Sequence, residues 1–132
     1  MLGWILLAFA PLWKPAERVA NGAIVTLFAL AYAVLAIMFF RAEDLSRFGS
    51  LQGVKTLFQS DFALLTGWVH YLAFDLFVGC WMFRNARRHR IPHILFIVCG
   101  AFTFMLGPCG LLLFLIIRWA RTKRFMESPA YD

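Results

Sequence analysis

The chain has 132 residues, of which 62% are hydrophobic and 15% charged, and its mean hydropathy is +0.74. A single small domain leaves much of its surface exposed, and ordinary soluble domains are about 45–50% apolar and about 25% charged, so this composition excludes a soluble fold. The net charge of +6 comes from 13 Lys and Arg against 7 Asp and Glu, but the basic residues cluster between apolar runs, as membrane-flanking charge does, and argue against nucleic acid as a partner.

The first apolar segment is Met1 to Trp13. It falls short of the roughly 20 residues a spanning helix needs. It fits a tilted or thinned span, an interfacial helix or the remnant of a longer one, with Pro11 and Pro15 marking its end. No basic n-region and no small-residue cleavage site are present, so it does not read as a signal peptide. No Arg- and Ser-rich transit stretch precedes it either.

A second run, residues 19–40, is long enough to span and carries no charge after Arg18. Asn21, Thr26 and Tyr32 are its polar points. Residues 41–60 are broken by charge and Gly, yet Leu51, Val54, Leu57 and Phe58 recur at helical spacing. They predict a short amphipathic helix lying in the membrane interface; the alternative is a solvated loop.

The third predicted span, residues 62–83, contains Trp68, His70 and Asp75. A loop with four Arg in seven residues follows, RNARRHR, and His89 and His93 lie in or beside it, where solvation is expected. The fourth, residues 94–117, contains Gly107-Pro108-Cys109-Gly110. Pro at that depth kinks the helix and frees a carbonyl. Each half is too short to cross alone, so one kinked span is expected, with a re-entrant hairpin as the alternative. The fold class that results is all-α and polytopic: residues 1–132 form one integral membrane domain, a four-helix transmembrane bundle with an interfacial helix between spans two and three. With four spans the loop charges nearly balance, six basic residues on one side and seven on the other, and orientation stays open.

An ionisable residue within a membrane is a functional-site hypothesis. His70 and Asp75 are near mid-span and Asp61 lies at the mouth of the same helix. At about 100° per residue His70 and Asp75 point roughly 140° apart. They either flank a cavity or each finds a partner on another helix: Asn21, Thr26 or Tyr32 on the second span, Thr103 on the fourth, or carbonyls freed by Pro108. A carboxyl there is protonated or paired, which suits a general acid, and His70 suits a base. No HxxxH or ExxH pair is present, no metal site is expected, and no nucleotide-binding loop or cofactor motif is visible. The three cysteines, Cys80, Cys99 and Cys109, lie in apolar runs and read as small core residues. With 15 Phe and 17% aromatics, an aromatic-lined groove between helices would suit a long, flat, apolar molecule such as a polyene.

The stretch FQSDFALLTGWVHYLAFDLF, residues 58–77, carries an acidic residue, then W-x-H, then D-L-F five residues after the His. It resembles the central motif of the abscisic acid-deficient 4-like family of membrane proteins, with Asp61, Trp68, His70, Asp75, Leu76 and Phe77 at the motif positions. Pro11-Leu12-Trp13-Lys14 looks like the element that ends that family's first span, and Gly107-Pro108-Cys109-Gly110-Leu111 is similar to its last-span element. The resemblance implies a small plastid or bacterial membrane protein of carotenoid metabolism, and the lack of a transit stretch points to a bacterial inner membrane.

Plant members are associated with forming neoxanthin from violaxanthin, an isomerisation in which an epoxide opens to an alcohol and an allene. The reaction implied here is therefore that of a carotenoid- or retinoid-type isomerase, cofactor-independent, using His70, Asp75 and Asp61 for acid–base chemistry or polar anchoring. The polyene would be bound by Trp68, Tyr71, Phe74, Asn21 and Thr103. The alternatives are a non-enzymatic carotenoid- or retinoid-binding accessory protein and a small cation channel or transporter subunit. The expected partners are the lipid bilayer, the polyene and a second copy in a homodimer.

Overall fold

The computed structural model describes residues 1–11, 13, 15–41 and 44–123. Leu12, Lys14 and the tail from Arg124, used above in a flanking motif and in the charge count, lie outside them. The described residues are helical throughout, with no strand. Helix α1 is Leu2–Ala8, α2 is Ala16–Phe39, α3 is Asp44–Arg47, α4 is Leu51–Leu57, α5 is Asp61–Arg88, α6 is His93–Leu106 and α7 is Pro108–Thr122.

Local chemistry explains most boundaries. Pro15 precedes α2, Pro92 precedes α6, and Pro108 occupies the first turn of α7, where its missing N–H costs nothing. The Ser50 side chain accepts a hydrogen bond from the Gly53 amide at 3.1 Å and starts α4. Helix α5 has Asp61 in its first turn and Arg87 and Arg88 in its last, matching the helix dipole at both ends. Within α2, residues Ala20–Val25 form a π-helical turn around Asn21 and Gly22, two poor α-helix formers.

Helix α5 is the central rod. Helix α2 runs antiparallel to it: Glu17 meets Arg84 at 2.7 Å, the Tyr32 and His70 rings are 5.2 Å apart, and Phe39 stacks on Phe62 at 4.0 Å. Helix α6 also runs antiparallel, with Phe96 against Phe83 at 5.4 Å and the Phe104 carbonyl reached by the Tyr71 hydroxyl at 2.8 Å. Helix α7 then turns back along α5, bringing Phe114 to Trp81 at 6.1 Å and the Arg118 guanidinium to the Asn85 amide oxygen at 3.1 Å. Trp4 of α1 wedges in at half height, beside Gly79 of α5 and Gly100 of α6, which leave room for its indole.

Two expectations change here. Among the described residues two helices, Ala16–Phe39 with 24 residues and Asp61–Arg88 with 28, are long and apolar enough to cross a membrane, where four spans were expected. Residues 93–122 are not one kinked span but a helical hairpin of 14- and 15-residue limbs. At 1.5 Å per residue each limb is about 21–22 Å long, short of a hydrocarbon core about 30 Å thick. Two glycines permit the reversal. Gly107 adopts φ +44°, a conformation that disfavours any side chain. Gly110 lies so close to α6 that a Cβ would come within 2.5 Å of the Cys99 carbonyl oxygen and nearer still to the Thr103 amide. Hydropathy is indifferent to this fold-back, because both limbs are apolar whichever way they point.

The core lies around the second half of α5. Leu7, Cys80, Met82, Cys99 and Phe114 are fully buried there. The amphipathic segment between the long helices does form α4, with Leu57 buried and Leu51 exposed, and the short α3 precedes it. His93 departs from the solvated role expected for it: it is half-buried, and one ring nitrogen lies 2.8 Å from the Ala8 carbonyl oxygen.

Candidate functional site

The first half of α5 and the second half of α2 diverge enough to leave a cavity of about 580 Å³, closed from the end by the α3–α4 segment. That is within the roughly 300–1,000 Å³ of small-molecule sites. Its walls are mostly apolar and aromatic, with Phe39, Phe40, Phe48, Phe58 and Phe62 among them. Phe58 lies across Gly67, where a Cβ would meet its ring at 2.6 Å, so the glycine sets the width of the cavity at that point.

The polar groups sit at two levels. Toward the middle of α5 are His70 and Tyr32, in ring contact, and the Phe74 ring is 4.6 Å from the imidazole. At the outer end is a charged rim. The Asp44 carboxylate is buried, accepts a hydrogen bond from the Arg41 amide at 2.9 Å and pairs with the Arg47 guanidinium at 3.1 Å. A carboxylate held this way is charge-compensated, and Arg41, Asp44 and Arg47 together form a polar rim on the cavity wall. The rim was not singled out in the sequence. The acid and base three apart in Asp44-Leu45-Ser46-Arg47 are a faint sign of it, since that spacing puts both on one helix face.

The residues expected to act together fall in three places. His70 is exposed on the cavity wall, and the ring beside it is that of Tyr32, one of the three second-span candidates. Asp75 does not face the cavity. It lies on the hairpin side of α5, with its Oδ1 3.2 Å from where a Cβ on Gly107 would stand. Its Oδ2 is buried, and the Tyr71 side chain, four residues earlier on the same helix face, is within interaction reach of the carboxyl. Tyr71 is on that side too, and its hydroxyl donates to the carbonyl of Phe104 in the last turn of α6, where carbonyls have no intrahelical partner. Thr103 is fully buried in the hairpin and donates to the Cys99 carbonyl at 2.9 Å.

The remaining expected residues are peripheral to the cavity. Trp68 is 62% exposed on the outer face of α5 and Asp61 is exposed at its start. Asn21 lies in the π turn, near the opposite end of α2 from the cavity. The roughly 140° between His70 and Asp75 thus sets the first against α2 and the second against the hairpin turn rather than both in one shared cavity. Among the described residues no three His, Cys, Asp or Glu side chains come together as a metal site.

No curated protein and no solved structure matches the chain. The family description ABA DEFICIENT 4-like matches residues 1–114, which takes in both long helices, the cavity and the first turns of α7. The match covers most of the chain, and the chain therefore belongs to the ABA DEFICIENT 4-like family.

Proposed function

We propose that this is an integral membrane protein that binds a carotenoid- or retinoid-type polyene and isomerises it without a cofactor. The single observation that carries the reading is the cavity between α2 and α5, aromatic along its walls, with His70 and Tyr32 inside it and a charged rim at its outer end. An oxygenated end ring has polar groups to meet there, and the conjugated chain has aromatic faces to lie against. Family membership and the two apolar helices of spanning length support the same reading.

Isomerisation of an epoxide to an alcohol and an allene moves one proton off carbon and puts one on oxygen, with no net change in oxidation. His70 takes the carbon proton as the Tyr32 hydroxyl donates to the epoxide oxygen. The proton then passes from the imidazole back to the phenolate, restoring both groups. Asp75, on the hairpin side, is not the acid in this scheme.

A second reading, a polyene-holding accessory protein without turnover, draws on one observation: the mid-helix carboxyl is turned away from the cavity. The test is expression in a carotenoid-producing host, followed by chromatography of pigment extracted from cells and from detergent-purified protein. Wild type is compared with His70→Ala and Tyr32→Phe. The isomerase reading expects an altered isomer pattern that both substitutions abolish. Bound pigment of unchanged pattern supports the accessory protein, and colourless protein in cells of unchanged pattern refutes both.

A further inference from the structure

The hairpin settles a question that the sequence leaves open. In a four-span layout the basic residues divide almost equally between the two ends. With α7 folded back along α5, the charges after Phe114 return to the end that already carries the arginine loop. Arg118 makes this concrete, since its guanidinium bonds Asn85 at 3.1 Å and lies over the Trp81 ring.

Among the described residues this end holds Arg18, the four arginines from Arg84 to Arg90, and Arg118, Arg121 and Lys123, eight in all. The other end holds three, Arg41, Arg47 and Lys55. Short loops and helix ends of this kind are those over which the positive-inside rule is counted, and eight against three is decisive where six against seven was not. Trp81 and the half-exposed Trp119 lie at the same level, where interfacial indoles sit.

We propose that the Arg84–Arg90 and Arg118–Lys123 end is the cytoplasmic end, seated on anionic lipid headgroups, and that the cavity lies in the half of the bilayer away from the cytoplasm. Arg87, Arg88 and Arg121 are exposed there and unencumbered by acidic neighbours on their own turns. The charged rim at Asp44 and Arg47 then faces the opposite side, so a polyene reaches His70 from the outer leaflet. The assignment rests on the bilayer reading above, not on catalysis.

Two single cysteines test it in the full chain, with the exposed Cys109 replaced by Ala and Cys80 and Cys99 left buried. In bacterial spheroplasts, Gln59→Cys reacts with a membrane-impermeant maleimide, whereas Arg88→Cys reacts only after lysis. The reverse pattern, or the same pattern for both positions, overturns the orientation. A fluorescent protein fused after Asp132 gives an independent readout: it glows if the end is cytoplasmic, and a dark fusion with an active phosphatase fusion overturns the proposal.

Alkaline extraction separates the two kinds of failure. Chain released from the membrane refutes the bilayer reading itself, and retained chain with reversed labelling refutes the orientation alone. For the headgroups, phosphatidylglycerol added to mixed micelles of phosphatidylcholine and a non-ionic detergent raises the melting temperature of wild type but not of the Arg87→Gln, Arg88→Gln, Arg121→Gln triple variant. An equal rise in both overturns that part.

Discussion

Replacing Gly110 by Ala tests the hairpin at its tightest point. A Cβ there needs α6 and α7 to separate by about an ångström, because the Cys99 carbonyl and the Thr103 backbone cannot rotate away. Overpacking of this sort costs about 1–3 kcal/mol, and the Thr103 hydroxyl bond to Cys99 is worth about 1 kcal/mol if it is lost. The better helix propensity of Ala offsets about 1 kcal/mol. The net expectation is a loss of about 1–3 kcal/mol, or roughly 4 °C of melting temperature for each kcal/mol on the scale of domains this size.

Gly22→Ala is the matched control. Nothing lies within 4 Å of its Cβ position, so the same substitution there should be neutral or slightly stabilising. Intrinsic fluorescence of the five Trp follows melting in detergent, and labelling of the buried Cys99 thiol under native conditions reports opening of the hairpin. If Gly110→Ala melts within about a degree of wild type and Cys99 stays protected, the reasoning fails, because residues 93–122 would then form one continuous helix with Gly110 facing open space.

Three further substitutions probe other features. Asp75→Asn keeps the shape of a side chain with a buried carboxyl oxygen, leaves an oxygen to face Tyr71 and removes the charge, so melting should stay level or rise; a fall of more than about 1 kcal/mol would show that the ionised carboxylate is needed. Gly107→Ala places a Cβ at φ +44° and 3.2 Å from the Asp75 carboxyl, and should lower stability by about 1–3 kcal/mol in thermal melts; an unchanged melt would contradict the tight turn. Glu17→Gln breaks the pair with Arg84, whose side chain is 45% exposed, and after solvent screening should change stability by less than about 1 kcal/mol at moderate salt. A larger loss would mean that the pair is shielded from water.

The sequence carries the helical, membrane-like character of the chain because composition and charge spacing are one-dimensional properties. The stripe Leu51, Val54, Leu57 and Phe58 marks α4 for the same reason, and the angle between His70 and Asp75 follows from helix geometry alone. It does not reveal which of the two faces the cavity, because that depends on where the other helices stand around α5. Nor does it choose between a kink and a hairpin at Gly107-Pro108, since both use the same residues. The deciding contact, Gly110 on Thr103, joins residues whose closeness only the folded-back chain creates. The π turn at Asn21 and Gly22 and the ion pair at Asp44 and Arg47 are likewise local geometries that hydropathy averages away.

The short hairpin makes the two ends of the molecule unequal. Around the second half of α5 stand α1, the start of α2, α6 and α7, while around its first half stand only the rest of α2 and the small α3–α4 segment. In a bilayer such a molecule displaces more acyl chain from one leaflet than from the other. Placed there it would be a wedge, broader in the leaflet around the second half of α5 than in the other. The cavity, with Phe39 and Phe62 on its walls, lies on that narrower flank, where the fewest helices stand between it and the surroundings.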